Sequence, residues 1–196
     1  MRDEGIPPGP HLEIVDTILN RTVLRLIPDS VSPNSVTVVR FVSVPIVAWL
    51  LLEHWYAWGA VVFALSAFTD ALDGAMARTR NRITHWGKLA DPFADKLLIG
   101  TTALILVTRF VSLEIAVVIV SIELLLITRA AYLYSHKRRA GANAMGKVKM
   151  VLQSVALFSL FVYATTGISF YLSLALYGLN VAILVALVSL VTAPAA

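Results

Sequence analysis

Asp70, Asp73, Asp91 and Asp95 fall within a stretch of 26 residues. The first two are spaced i, i+3 and the last two i, i+4, so on helices each pair shares a face. Four carboxylates gathered in apolar surroundings repel one another and are costly to desolvate. A single Asp at mid-membrane alone costs ~2.5–3.5 kcal/mol on insertion scales. A hard divalent cation (Mg2+, Mn2+ or Ca2+) resolves that conflict, because it takes carboxylate oxygens as ligands. One such aspartate would read as a helix cap or a salt-bridge partner for Arg78, Arg80, Arg82, Lys88 or Lys96. Four in this spacing read as a metal site. Mg2+ sites typically combine a few carboxylates with substrate phosphates, so phosphate chemistry is expected.

The chain that must position these groups has 196 residues, of which 58% are hydrophobic and 14% charged. Its mean hydropathy is +0.80. Soluble domains run near half apolar and one quarter charged. Too little polar surface remains to cover a water-facing globule, which excludes a soluble enzyme, a disordered chain and a coiled coil. An all-α integral membrane protein is expected, with membrane lipids and not nucleic acid as its surroundings. The absence of cysteine excludes a disulfide framework, a thiolate zinc site and a cysteine nucleophile. Residues 1–11 hold Asp3, Glu4 and three prolines without a cationic lead into an apolar run, so no cleavable signal peptide is expected.

Hydropathy marks six apolar stretches: Val36–Leu52, Trp55–Thr69, Pro92–Thr108, Ile115–Tyr134, Met150–Thr166 and Phe170–Thr192. Several fall short of the ~20 residues that a ~30 Å hydrocarbon core needs, so their polar flanks should continue the helices. Helices are expected because in lipid every backbone amide must be satisfied within its own segment. Of the 16 Lys and Arg, only Arg109 lies near an outer end if both termini are cytoplasmic, which sets the expected orientation. The carboxylates then sit at the cytoplasmic ends of spans two and three, in the inner cell membrane. Residues 12–27 show polar Glu13, Asp16, Thr17, Asn20 and Arg21 at helical spacing among aliphatic residues. That pattern predicts an amphipathic helix, lying in the interface or packed on the bundle. The expected organisation is a cytoplasmic N-terminal segment over 1–35 and a six-helix domain over 36–196.

Asp70-Ala-Leu-Asp73-Gly74-Ala-Met-Ala77-Arg78, followed by Gly87, Asp91 and Asp95, has the spacing D-x2-D-G-x2-A-R-x8-G-x3-D-x3-D. This resembles the signature of the CDP-alcohol phosphotransferases at all eight fixed positions. Pro33-Asn34-x-x-Thr37-x-x-Arg40 is similar to the opening of span one in the phosphatidylglycerophosphate synthase branch. The resemblance implies that Asp70, Asp73 and Asp91 hold one or two divalent cations, Mg2+ or Mn2+. It implies that Asp95 shares the second metal and acts as general base. Gly74, Ala77, Arg78 and Gly87, with Asn34, Thr37 and Arg40, would form the CDP site. Gly74 and Ala77 leave room for the nucleotide, Arg78 pairs with the diphosphate and Gly87 makes space for cytidine. The implied reaction is transfer of a phosphatidyl group from CDP-diacylglycerol to an alcohol, releasing CMP, in a homodimeric membrane enzyme.

The acceptor is argued from a second cluster. Residues 136–149 carry Lys137, Arg138, Arg139, Lys147 and Lys149, with Arg129 about two turns earlier. Lys137, Arg138 and Arg139 suit equally a loop facing anionic head groups. Gly146-Lys147-Val148-Lys149 is similar to the G-K-x-K segment opening span five of phosphatidylglycerophosphate synthases. The resemblance implies an acceptor-phosphate site at Arg129, Arg138, Arg139, Lys147 and Lys149, where lysines act as point charges. Glycerol 3-phosphate is therefore the expected acceptor; inositol phosphate, or a second lipid as in cardiolipin synthesis, is the alternative. One departure stands out. Those synthases commonly carry an Arg-Glu pair in span four, where this chain has Ile122-Glu123. Glu123 is then an intramembrane acid without an obvious sequence neighbour, a functional or paired residue by default, and Arg129, six residues on, would partly compensate for the missing arginine. A cation-coupled transporter would place its acids near the midplane and often in repeated halves, and no second-half counterpart of Asp70–Asp95 exists. A membrane prenyltransferase would need two separate aspartate-rich motifs.

Overall fold

The computed structural model describes residues 33–79, 87–135 and 144–192, which form six helices. They are α1 (Pro33–Leu52), α2 (Tyr56–Thr79), α3 (Gly87–Phe110), α4 (Leu113–Ser135), α5 (Ala144–Thr166) and α6 (Ser169–Thr192). Each apolar stretch in the sequence lies in a helix of its own, save Trp55, which precedes α2. The polar flanks do extend them: α3 begins at Gly87, ahead of the apolar stretch that opens at Pro92. At 1.5 Å per residue its 24 residues reach about 36 Å, enough for a ~30 Å core. The expected amphipathic helix over 12–27 lies outside the described residues.

Among the described residues, two segments are long and apolar enough by themselves to cross a membrane, Val148–Thr166 in α5 and Ser169–Leu190 in α6. Thr37–Leu52 and Tyr56–Thr69 are shorter apolar runs. The charges of α1 and α3 explain part of the difference, since Arg40, Lys88, Asp91, Asp95 and Lys96 crowd one end. Large apolar side chains face outward all round the bundle, among them Trp58, Leu65, Val151, Phe170 and Leu184. Water would penalise that surface; lipid does not.

Three tight connections close one end of the bundle. Between α1 and α2 the chain turns through His54 at φ 66°, where Trp55 N–H donates to Leu50 O at 2.8 Å. Between α5 and α6 it turns at Gly167, φ 70°, a conformation that glycine adopts without a Cβ penalty. Ser112 caps α4 by accepting from Ile115 N–H at 3.3 Å. Arg109 at the end of α3 contacts His54, and Phe110 packs edge-on against Tyr56 and Tyr163 with centroids 5.5 and 5.6 Å apart. Below this end the core is aliphatic and aromatic. Val47 and Leu51 of α1, Leu106 and Val107 of α3 and Leu157 of α5 are fully buried, and Phe63 of α2 meets Phe161 of α5 at 5.5 Å. Helix α6 packs most closely on α5, where a Cβ built on Gly178 would lie 2.9 Å from Ala156 Cβ.

Candidate active site

The end of the bundle opposite those tight turns gathers the charges. Thr37, Arg40 and Ser43 recur at i, i+3 on α1 and all three are buried. Arg40 is 0% exposed, and its Nη1 lies 2.9 Å from Asp95 Oδ1 in the third turn of α3. A charge so buried needs a hydrogen-bonded partner of opposite sign. Phe41 of α1 and Phe93 of α3 also meet, their centroids 6.1 Å apart. Ser43 Oγ donates to Arg40 O at 2.7 Å and meets Ser66 Oγ of α2 at 2.6 Å. That contact fixes the register of the antiparallel α1–α2 pair. Beyond Ser66, α2 runs back toward Arg40, carrying positions 70 and 73 to the end where Asp95 lies.

Asp95 is 13% exposed and lines a cavity of about 260 Å3 between α2, α3 and α5. The rest of the lining is mostly apolar, with Phe63, Leu98, Ile99 and Val151, and Ser154 adds one hydroxyl. A carboxylate at the edge of an apolar cavity suits a substrate with both a polar and a hydrocarbon part.

A second buried pair joins α4 to α5. Lys149 Nζ donates to Glu123 Oε1, and both residues are 4% exposed. Glu123 thus finds its partner 26 residues onward and not in Arg129, which donates instead to Leu190 O of α6 at 2.9 Å. Gln153, one turn beyond Lys149 on α5, is also buried. Lys96 of α3 lies within electrostatic reach of Asp95, Glu123 and Lys149.

Of the residues singled out in the sequence, the structure brings Arg40 to Asp95 and buries Thr37 one turn before Arg40. It places Lys149 on Glu123 and Arg129 on the end of α6. Positions 70, 73, 74, 77 and 78 lie on α2, positions 87 and 91 on α3, position 34 on α1 and position 147 on α5. The side chains there are outside the described part, as are Arg138 and Arg139 altogether. Of the four aspartates only Asp95 has a described side chain, and among the described residues no three potential ligands converge. Asp95 supplies a hard oxygen donor facing a cavity, which fits a Mg2+ or Mn2+ ligand. Sequence reasoning passed over Gln153 and named Lys96 only as a salt-bridge partner for the aspartates. A signal for Gln153 was available, because it lies i+4 from Lys149 on the same helix face.

Comparison with known proteins gives this arrangement a context. Residues 30–192 match the family model described as CDP-alcohol phosphatidyltransferase. The chain is 30% identical over 148 residues to the CDP-diacylglycerol--glycerol-3-phosphate 3-phosphatidyltransferase of Bacillus subtilis, covering 67% of this chain and 76% of that protein. It is 33% identical over 129 residues to the enzyme of the same name from Rickettsia typhi, covering 64% and 72%. It is 32% identical over 137 residues to a cardiolipin synthase (CMP-forming) of Streptomyces coelicolor, covering 66% of this chain and 61% of that protein.

Proposed function

The chain belongs to the CDP-alcohol phosphatidyltransferase family, membrane transferases of phospholipid biosynthesis, and from that premise we propose that it makes phosphatidylglycerophosphate from CDP-diacylglycerol and glycerol 3-phosphate. The observation that carries the reading is the family match over residues 30–192, which includes the whole eight-position aspartate signature. Relatives named for glycerol 3-phosphate transfer support the choice of acceptor. The Streptomyces relative, named a cardiolipin synthase, supports a second reading in which phosphatidylglycerol is the acceptor.

In this reading Asp95 removes the proton from the acceptor hydroxyl while the freed oxygen attacks the phosphatidyl phosphorus. A new P–O bond forms, the bond to the cytidylyl phosphate breaks, and CMP leaves. Arg40, ion-paired with Asp95, holds the carboxylate in place. Asp70, Asp73, Asp91 and Asp95 would hold one or two divalent cations, Mg2+ or Mn2+. A cation there would neutralise diphosphate charge and stabilise the leaving group. Gly74, Ala77, Arg78 and Gly87, with Asn34, Thr37 and Arg40, would seat the CDP group; Lys147, Lys149, Arg129, Arg138 and Arg139 would serve the acceptor phosphate. The lipid part of a substrate can enter sideways into the apolar cavity beside Asp95, and shared confinement supplies proximity.

The same reading has six spans, both termini in the cytoplasm, the site facing the inner surface, and two copies per functional unit. Fifteen of 16 cations on one side support the orientation. The test is an acceptor panel with labelled CDP-diacylglycerol: glycerol 3-phosphate, inositol phosphate, serine, inositol and phosphatidylglycerol. CMP release with glycerol 3-phosphate alone is expected. Release with phosphatidylglycerol alone would replace this acceptor with the second reading.

A further inference from the structure

Glu123 is a buried acid that the phosphatidyl transfer step does not use. Its Oε1 accepts from Lys149, while its Oε2 is buried with no hydrogen-bond partner among the described residues. Gln153 Nε2 is likewise buried without one. Both residues and Lys149 line the same small cavity, about 10 Å3, together with Leu179, Ala182 and Ala186 of α6. That volume is about one water molecule, and the site offers the polar partners a buried water needs. A water seated there would accept from Gln153 Nε2 and donate to Glu123 Oε2.

We infer that Glu123 is a positioning residue for Lys149, held by Gln153 through one buried water, and that it aims the lysine ammonium at the acceptor phosphate. The inference rests on the acceptor reading above. Burying a lone ammonium is costly, and an adjacent carboxylate offsets that cost. An ammonium has three N–H donors. Glu123 takes one and fixes the side chain, which leaves the others to meet a phosphate without the pair having to break. The long lysine stem would otherwise sample many rotamers, and ordering it only when substrate binds would weaken binding. The same geometry gives a physical sense to Ile122, the position where the sequence lacks an arginine. Ile122 is 7% exposed and packs as an apolar residue, and Lys149 is the cation that Glu123 holds.

The test is steady-state CMP release by the purified full-length chain, with glycerol 3-phosphate and CDP-diacylglycerol varied in turn. Glu123→Gln, Glu123→Asp, Gln153→Leu and Lys149→Gln are compared with wild type, and each variant's melting temperature in detergent is recorded. Glu123→Gln should raise the KM for glycerol 3-phosphate about tenfold, the scale of one charged hydrogen bond, with the KM for CDP-diacylglycerol within about twofold. Glu123→Asp keeps the charge on a shorter stem, so it should fold like wild type yet still raise the acceptor KM. Gln153→Leu should move the same constant in the same direction by less. Equal shifts in both KM values, or a lowered melting temperature with an unchanged acceptor KM in Glu123→Asp, would mean that Glu123 is only structural and would overturn the inference. An unchanged acceptor KM in Lys149→Gln would instead remove the acceptor reading, and this inference with it.

Discussion

Asp95 Oδ1 stands 2.9 Å from Nη1 of an arginine, Arg40, that has no exposed surface at all. The pair ties the start of α1 to the start of α3 across 55 positions of sequence, and it puts the proposed general base under direct control of a fixed cation. Arg40→Leu should therefore fail in two ways. Leaving one partner of a buried ion pair uncompensated typically costs about 3–5 kcal/mol, so the melting temperature in detergent should drop. CMP release from the folded fraction should drop further than folding alone explains. Arg40→Lys, which keeps the charge but not the planar fork, should fall between.

Asp95→Asn keeps the shape and removes the proton acceptor. The turnover number should fall about 10²- to 10⁴-fold, the usual contribution of a positioned base. Turnover of the purified Asp95→Asn protein at the wild-type rate would refute the base assignment.

The helical frame is largely legible in the sequence. Six apolar stretches became six helices because backbone satisfaction in lipid leaves few other solutions. The ends followed the same logic: the apolar stretch opens at Pro92, and α3 starts at Gly87 because a span too short for the hydrocarbon core is continued by its polar flank. The aspartates were legible because their spacing is local. The pairings were not. Arg40 with Asp95, and Glu123 with Lys149, are choices among many possible ion pairs, made only when helices pack. Arg129 was the nearest cation after Glu123 in the chain, but it caps α6 by donating to Leu190 O. Gln153 stands as one amide in an apolar run that reads as an ordinary span, and only its i+4 spacing from Lys149 marks it.

Two glycine substitutions should behave in opposite ways. At Gly178 a new Cβ would meet Ala156 Cβ at 2.9 Å, so Gly178→Ala should force α5 and α6 apart and cost about 1–3 kcal/mol. At Gly100, inside α3, nothing lies within 4 Å of an added Cβ. Gly100→Ala should leave the protein as stable as wild type or more stable by about 0.5–1 kcal/mol, through reduced backbone freedom of the unfolded chain. Melting curves in one detergent check both.

At the far end of the bundle, Arg109 contacts His54 and sits 5.8 Å from the ring centroid of Tyr56. An exposed cation–π contact contributes about 0.5–1 kcal/mol. Arg109→Ala should lower the melting temperature slightly and leave both KM values and the turnover number unchanged. A change in acceptor KM would contradict the separation of the two ends.

The central claim is that the aspartate end of the bundle carries out metal-dependent phosphatidyl transfer, and CMP release measures it most directly. Purified protein given CDP-diacylglycerol and glycerol 3-phosphate should release CMP with Mg2+ or Mn2+ present. Release should stop with excess chelator, return when the metal is restored, and fall to background in Asp70→Asn, Asp73→Asn and Asp91→Asn variants that still fold. CMP release that continues in chelator, or at the wild-type rate in those three variants, would contradict the account.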